Sequence, residues 1–203
     1  MNKKVIIIGA GGHAKVIADI VRASGDTVVG FLDDAFSGER EFYGSFVIGK
    51  VSDYKRYTLE CSFIVAIGNN SVREKIATGM ECQWYTAIHP SAVVSQSAMI
   101  GIGTAVMAGA VINADAVIGG HVIINTGTIV EHDCTVGDYT HISPKSVVCG
   151  GTSVGKHVWV GTGSTVVNVV SICDNVTVGA GCVVVRSIDE SGTYVGVPAR
   201  KIK

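Results

Sequence analysis

The apolar positions of this chain follow two different rules, and the change between them falls near residue 90. From Val94 a β-branched aliphatic recurs every six residues: Val94, Ile100, Val106, Ile112, Ile118, Ile124, Val130, Val136, Ile142, Val148, Val154, Val160, Val166, Ile172, Val178 and Val184. The series has no insertion and no exception. Four residues after most members the side chain is small, as at Ala98, Thr104, Ala110, Ala116, Thr128, Cys134, Thr140, Ser146, Thr152, Ser164 and Cys182, with Val at 122, 158, 170 and 176. A period of six fits neither the ~3.6 residues of a helical turn nor strands joined by tight hairpins; it fits a parallel β-helix. Each hexad is then one short strand plus a corner, and three hexads close a triangular coil. The 90 residues from Val94 to Val184 make fifteen hexads, or five coils. The aliphatics point inward and stack from coil to coil, and the small residue turns into the narrowing corner. Gly101, Gly119, Gly137, Gly155, Gly161 and Gly179 each follow an aliphatic, where the bend is expected to require positive φ.

Residues before about 87 read differently. Val5 to Ile8 is a strand, Gly9-Ala-Gly-Gly12 a turn, and His13 to Ala23 a helix with apolar Val16, Ile17, Ile20 and Val21 on one side. Thr27 to Leu32 is a second strand ending in Asp33-Asp34, and Ser62 to Ile67 another, followed by Gly68-Asn69-Asn70. Ser71 is placed to cap a helix running to about Gly79, with Glu74 completing a capping box. Alternating strands and helices predict a small α/β (βαβ, Rossmann-like) domain over residues 1–87, leading into a β-helix domain over 88–203 with a short C-terminal tail. The junction is expected within Thr86 to Ala92, which contains His89-Pro90.

A formal net charge of −1 and a pI near 6.6 give no basic field for nucleic acid. There is no run of about twenty apolar residues to span a membrane, and Gly9 cuts short the N-terminal apolar run, so neither membrane insertion nor a signal peptide is expected. The six cysteines form no CxxC pair, and Cys134 and Cys182 occupy small inward positions, which predicts packing roles in a reducing cytoplasm. No His/Cys/Asp cluster has ligand spacing, so no metal is expected.

The turn Gly9-x-Gly11, with Ala14 at the third fingerprint position, follows a strand, opens a helix and precedes an acidic strand end, as in dinucleotide-binding folds. A sheet portion of about 85 residues is short for that fold, and a β-helix has no obvious use for hydride chemistry. The amides of a helix N-terminus still suit a phosphate. The turn therefore predicts a nucleotide or nucleotide-sugar site, with Asp33 or Asp34 accepting hydrogen bonds from base or ribose. An NAD(P)-binding oxidoreductase or a nucleotide sensor is the more remote alternative.

Taken in order, IIIGAGGHAKV, FLDD, VAIGNN followed by Arg73, the hexads containing INTGTIVEHDCTVGDYTHIS, and the ending YVGVPARK resemble the bacterial nucleotide-amino-sugar N-acetyltransferase and sialic acid O-acetyltransferase family, hexapeptide-repeat acyltransferases. The resemblance covers nearly the whole chain. It implies a left-handed β-helix, a homotrimer, acetyl-CoA as co-substrate, the sugar nucleotide on the N-terminal domain, and catalysis between neighbouring β-helices. The substrate it favours is a UDP-linked 4-amino-sugar acetylated on nitrogen, with O-acetylation of sialic acid or a related sugar as the alternative.

Acetyl transfer from a thioester requires a base for the attacking amine or hydroxyl, and a histidine poised near neutral pH suits that task. His132, flanked by Glu131 and Asp133 and stacked between small Ala114 and Gly150, is the candidate, with an acidic neighbour to hold its tautomer. The family motif makes Asp133 the partner, with Glu131 the substitute. The resemblance further assigns His141, Gly150, Thr162 and Ala180 to acetyl-CoA, with His141 directing an N–H at the thioester oxygen, while Asn125 is placed to orient substrate or base. It assigns Gly11, Gly12, His13, Asp33, Asp34, Gly68, Asn69 and Arg73 to the sugar nucleotide. Lys156, Arg186, Arg200 and Lys201 are candidates for the cofactor phosphates, and His121 and His157 are expected on the surface.

Overall fold

In the computed structural model, which describes residues 2–203, the first apolar run is β1 (Lys4–Ile8), and Val5 to Ile8 are completely buried. Such a run suits a strand covered on both faces. The chain continues through α1 (Gly12–Ala23), β2 (Thr27–Leu32), β3 (Arg40–Phe42), β4 (Ser45–Gly49), β5 (Ser62–Val65) and α2 (Asn70–Thr78). The sheet order is β3-β4-β2-β1-β5, parallel except for the β3–β4 hairpin. The apolar stripe of α1 buries Ile17, Ile20 and Val21 together with Ala14 and Ala18. α2 starts two residues earlier than the capping-box reading: the side chain of Asn69, not Ser71, accepts the Val72 amide at 3.0 Å. Glu74 turns away from that cap and meets the His157 Nε2 at 3.1 Å.

From Ala87 onward the chain is a three-sided parallel β-helix. The first face stacks Ala87–Ile88, Ala105–Val106, Ile123–Ile124, His141–Ile142, Trp159–Val160, Val176–Val178 and Gly192–Val195. The second face stacks Val93–Val94, Val111–Ile112, Ile129–Val130, Val147–Val148, Thr165–Val166 and Val183–Val184, and the third runs from Met99–Ile100 to Ser171–Ile172. Each strand pairs with the one a coil away, as in the register Ile112, Val130, Val148. Ala87–Ile88, which straddles the expected junction, is already bonded into the first face.

The hexad aliphatics from Val106 to Val184 are at most 2% exposed. The small residues four positions later are buried as well, and their hydroxyls are not wasted. Thr104, Thr128, Thr140, Ser146, Thr152 and Ser164 each donate to the carbonyl fifteen residues ahead, at 2.7–3.0 Å. A buried hydroxyl without such a partner would be costly, so the Thr/Ser choice at these corners is a hydrogen-bonding choice as well as a steric one.

Glycine has a different role from the expected one. Gly101, Gly119, Gly137, Gly155, Gly161 and Gly179 do not adopt positive φ. They lie where stacked backbones nearly touch: a Cβ on Gly137 would stand 2.6 Å from Gly155, and one on Gly161 2.6 Å from Ala180. The left-handed residue is instead the third after each aliphatic, throughout from Gly103 to Gly181, and includes Asp115, His121, Asp133, Tyr139, Lys145, His157, Val169 and Asn175.

The α/β domain sits on the first face. Ala14, Ile17 and Val21 of α1 share one core with Tyr85, Ala87, Ala105, Met107 and Ile123. At the neighbouring edge, where the third face turns into the first, Arg73 is 1% exposed. Its five N–H groups are all spent: Nε on the His121 carbonyl (2.7 Å), Nη1 on the Ile67 and Gly68 carbonyls, and Nη2 on Asn70 Oδ1 and the Tyr139 carbonyl (2.7 Å). Beside it, the rings of Trp84, His121, Tyr139 and His157 form a continuous ladder. His121 is therefore 6% exposed and His157 is tied to Glu74, rather than both lying free on the surface. The one-coil spacing of the ladder residues brings them together, which is a long-range effect invisible in their local sequence.

Candidate active site

The predicted residues fall on two edges of the prism and on the C-terminal ends of the α/β strands. On the second edge, between the second and third faces, His132 Nδ1 lies 2.7 Å from Asp133 Oδ2. Asp133 is within reach because it occupies a left-handed corner (φ 58°), which turns its short side chain back toward the ring. Both side chains are more than half exposed. The hydrogen bond to Asp133, aided by the charges of Asp133 and Glu131, raises the His132 pKa above the ordinary histidine value. Gly150 lies directly beneath the ring: a Cβ there would stand 2.7 Å from His132 Nε2. The imidazole itself thus fills the space over that glycine.

On the first edge, between the first and second faces, Asn125 Nδ2 lies 3.0 Å from His141 Nε2. The Asn125 Oδ1 accepts the Thr126 amide at 2.8 Å, so Nδ2 donates and His141 Nε2 accepts. His141 then carries its proton on Nδ1, which is buried and has no hydrogen-bond partner. The ring N–H is turned into the seam with the α/β domain, toward the Gly68 backbone. Burial, with the nearby positive charges of Arg73 and His13, lowers the His141 pKa to about 4, so the ring is neutral. His13 opens α1 at the same seam; burial first, then Arg73, takes it to about 4, and its Nε2 is buried without a partner.

One coil below His141, Trp159 stacks against it (5.8 Å, 10°) and donates from Nε1 to Ser143 Oγ at 2.9 Å. A groove of about 290 Å³ continues from there, lined by Ser143, Trp159, Gly161, Thr162, Gly179 and Ala180 among others. Thr162 and Ala180 therefore share a groove with Trp159, the ring stacked on His141, while Gly150 belongs with His132 on another edge. Ser143 and Trp159 were not anticipated. The signal was a tryptophan at an outward position exactly one coil after a histidine.

In the α/β domain, Gly11 is the N-cap of α1 without a side-chain cap, and neither Gly11 nor Gly12 has a neighbour within 4 Å of a built Cβ. The first-turn amides are open. Asp33 shapes this turn, accepting the Ala10 amide (2.7 Å) on one oxygen and Ala35 (2.9 Å) on the other. Asp34 accepts Val51 at 3.1 Å through one oxygen and lines a cavity of about 440 Å³ with Val51, Tyr54, Val72, Lys75 and Ile76. Asn69 is committed to capping α2. Arg73 has no donor left for a phosphate, and the Gly68 carbonyl is one of its acceptors. Lys156 is held by Asp138 (2.9 Å) on the remaining edge, between the third and first faces. Among the described residues no group of three or more His, Cys, Asp or Glu side chains is placed to hold a metal, and no helix is long and apolar enough to cross a membrane.

A three-sided β-helix bearing a histidine–carboxylate pair, joined to an α/β domain with an open helix N-terminus, defines a hexapeptide-repeat acyltransferase architecture. The comparisons agree. The PglD N-terminal domain family matches residues 4–80. The acetyltransferase domain of PglB from Neisseria gonorrhoeae FA1090, also solved with acetyl coenzyme A, is 38% identical, with a TM-score of 0.93 covering 99% of this chain and 100% of that one. PerB from Caulobacter crescentus, solved with CoA and GDP-perosamine, is 42% identical, with a TM-score of 0.91 over 98% of this chain and 97% of that one. UDP-N-acetylbacillosamine N-acetyltransferase of Bacillus subtilis (strain 168) is 44% identical over 112 residues, 52% of this chain and 51% of that protein. The match thus spans about half the length of this curated relative. The chain belongs to the nucleotide-amino-sugar N-acetyltransferase family of hexapeptide-repeat, left-handed β-helix proteins.

Proposed function

We propose that this protein transfers an acetyl group from acetyl-CoA to the amine of a nucleoside-diphosphate-linked amino-sugar. The 1–87 domain binds the sugar nucleotide and the 88–203 β-helix binds acetyl-CoA. The observation that carries this reading is the pairing of a phosphate-ready helix N-terminus with a groove that runs down the first edge from the seam where His13 and His141 meet. Relatives that cover nearly the whole chain were solved with acetyl coenzyme A, or with CoA and GDP-perosamine, which supports both halves of the assignment.

His132 and Asn125 lie on different edges, so one copy alone does not assemble the site. The outward residues of the second face are Val93, Val111, Ile129, Val147, Thr165 and Val183, a column apolar except at Thr165, whereas those of the third face turn polar at Thr135, Ser153 and Ser171. Packing three copies by their second faces around a threefold axis buries that column and brings the second edge of each copy against the first edge of the next. Copies related by such an axis lie at equal heights. Asn125 and His132 belong to the same coil, so His132 of one copy faces Asn125 of its neighbour.

There His132 takes the proton from the attacking amine and Asp133 stabilises the imidazolium. The neutral His141 fixes Asn125, whose second N–H is free to meet the negative charge building on the thioester oxygen, a contribution commonly worth about 3 kcal/mol. His13 and the amides of Gly11 and Gly12 hold the sugar and its diphosphate. Asp34 reads the nucleoside, which we take to be uridine.

The test is free thiol release from acetyl-CoA with UDP- and GDP-linked 4-amino-sugars and sialic acid as acceptors. Turnover with a UDP-amino-sugar, lost in His132→Ala with CoA binding retained, is the expected result. Turnover with sialic acid alone, or a fully active His132→Ala, would overturn it.

A further inference from the structure

The left-handed residues of the first edge are Gly109, Gly127, Lys145, Gly163 and Gly181. Lys145 (φ 56°) is the one member of that column with a side chain, at a backbone conformation that favours glycine. Its amide is tied to the Thr126 carbonyl of the coil above at 2.9 Å. The stem leans the same way: a Cβ on Gly127 would stand 3.6 Å from Lys145 Cγ, while one on Gly163, a coil below, would meet nothing within 4 Å. The rest of the side chain, Cδ to Nζ, is long enough to complete a rise of one strand spacing, ~4.8 Å, and carries the ammonium to the height of Asn125 to Gly127.

That height is also the height of the base. Residues 125–127 and 131–133 are successive corners of one coil, and in the threefold arrangement they stand opposite each other in neighbouring copies. The flanks of the corners decide which acid the ammonium meets. Lys145 comes two residues before Val147 of the second face, and Glu131 directly follows Val130 of the same face. Both therefore sit on the side of their edges that the packing of three copies closes. Asp133 lies on the far side of its corner, and its Oδ2 is taken by His132 Nδ1 at 2.7 Å. Among the described residues of one copy, no carboxylate pairs with Lys145 and no cation with Glu131. Glu131 is half-buried even in the single copy, and a carboxylate withdrawn further from water calls for a partner.

We propose that Lys145 is a positioning residue for the base: it pairs with Glu131 of the neighbouring copy and leaves Asp133 as the carboxylate that holds His132. The charged and titratable groups around the imidazole are then Glu131 and Asp133 beside it, Asp115 one coil above Asp133, Cys149 one coil below Glu131, and Lys145 across the boundary. Two flanking carboxylates alone would keep the ring protonated to higher pH, and the ammonium offsets one of them. This rests on the threefold arrangement in the function proposed above.

The test compares wild type with Lys145→Met, Lys145→Arg, Lys145→Glu and the charge swap Lys145→Glu/Glu131→Lys, by sedimentation on dilution and by the pH dependence of kcat/KM for the amino-sugar. Lys145→Met removes a positive charge near the imidazole and is expected to move the acidic limb to higher pH by about half a unit to one unit, which lowers kcat/KM at pH 6 by roughly three- to tenfold. KM for acetyl-CoA should stay within about twofold, and Lys145→Arg should keep the limb in place. Lys145→Glu should dissociate at concentrations about tenfold or more above those for wild type, and the charge swap should recover most of that loss. An unmoved limb in Lys145→Met, a Lys145→Glu assembly as tight as wild type, or a swap that recovers nothing would each overturn the pairing while a wild-type trimer keeps the threefold arrangement. A wild-type monomer would overturn both. Sedimentation needs no turnover, so a trimer that obeys the swap but transfers nothing would overturn the proposed reaction and leave the pair standing.

Discussion

Two buried histidines and a third, His13, whose ring is largely shielded make the fold sensitive to mild acid. Burial is the first cause in each case, and the Arg73 guanidinium the second: together they lower His13, His121 and His141 from 6.5 to about 4. A folded pKa below the unfolded one means that the unfolded chain takes up the proton first. Stability is therefore complete above about pH 7.5, falls as pH drops through the unfolded value of about 6.5, and stops falling near 4. For one histidine the loss between pH 7.5 and pH 5 is RT times the logarithm of the ratio of the two binding polynomials, about 2 kcal/mol. Three independent sites would lose about 6 kcal/mol, and the mutual repulsion of His13 and His141 makes this an upper figure. At ~2–4 °C per kcal/mol for a chain of this size, Tm should drop by roughly 10–20 °C. The assay is calorimetric melting at constant ionic strength in half-unit steps from pH 8 to 4. His121→Asn, which tolerates the left-handed φ of 53°, should reduce the drop by about a third whatever its effect on Tm at pH 8. A Tm that is flat from pH 7.5 to 5 would refute this reasoning. So would a loss confined to below pH 4, where Asp26 and Asp138, whose pKa values are lowered, give up their hydrogen bonds.

The remaining predictions concern single side chains. The raised pKa of His132 places the acidic limb of the kcat/KM profile above the ordinary histidine value, and Asp133→Asn should move that limb to lower pH while reducing kcat; an unmoved limb would remove Asp133 as the partner. Arg73→Met should cost at least about 3 kcal/mol in urea unfolding, because five acceptors spanning both halves of the chain lose their donors; a loss below about 1 kcal/mol would mean that they find water. Asp34→Ala should raise KM for the sugar nucleotide by about tenfold and leave that for acetyl-CoA unchanged, and equal effects on both would contradict the division into two binding halves.

Much of the fold was written in one dimension. The hexads fixed the prism, its inward aliphatics and its small corners, because a strict period translates directly into a stack. The α/β elements were legible to within a residue or two, except the β3–β4 hairpin, whose short strands carry no clear alternation. What stayed hidden depends on contacts between coils or between halves. Arg73 follows a strand-end motif and so looked like a phosphate ligand, yet the fold turns it onto the prism and uses every donor there. His121 and His157 have no acidic neighbours in sequence, and only the one-coil stacking with Tyr139 explains their burial. Asp133 was legible as the partner of His132, but the left-handed corner that lets an aspartate reach was not. Gly150 and Thr162, close in sequence, separate onto different edges because twelve residues are two thirds of a coil.

The strict register of the coils has a consequence for how such a protein changes over time. Adding or removing one complete coil shifts everything below it by a single strand spacing along the axis and leaves its compass direction unchanged. The separation between His132 and Asn168, two coils below it on the same edge, is thus a whole-number quantity, adjustable only in steps of about 4.8 Å. A gain or loss of eighteen residues between them leaves the core intact and alters a single property, the distance that separates them along the prism. An added stretch of β-helix that is not a multiple of eighteen residues turns one end away from the other.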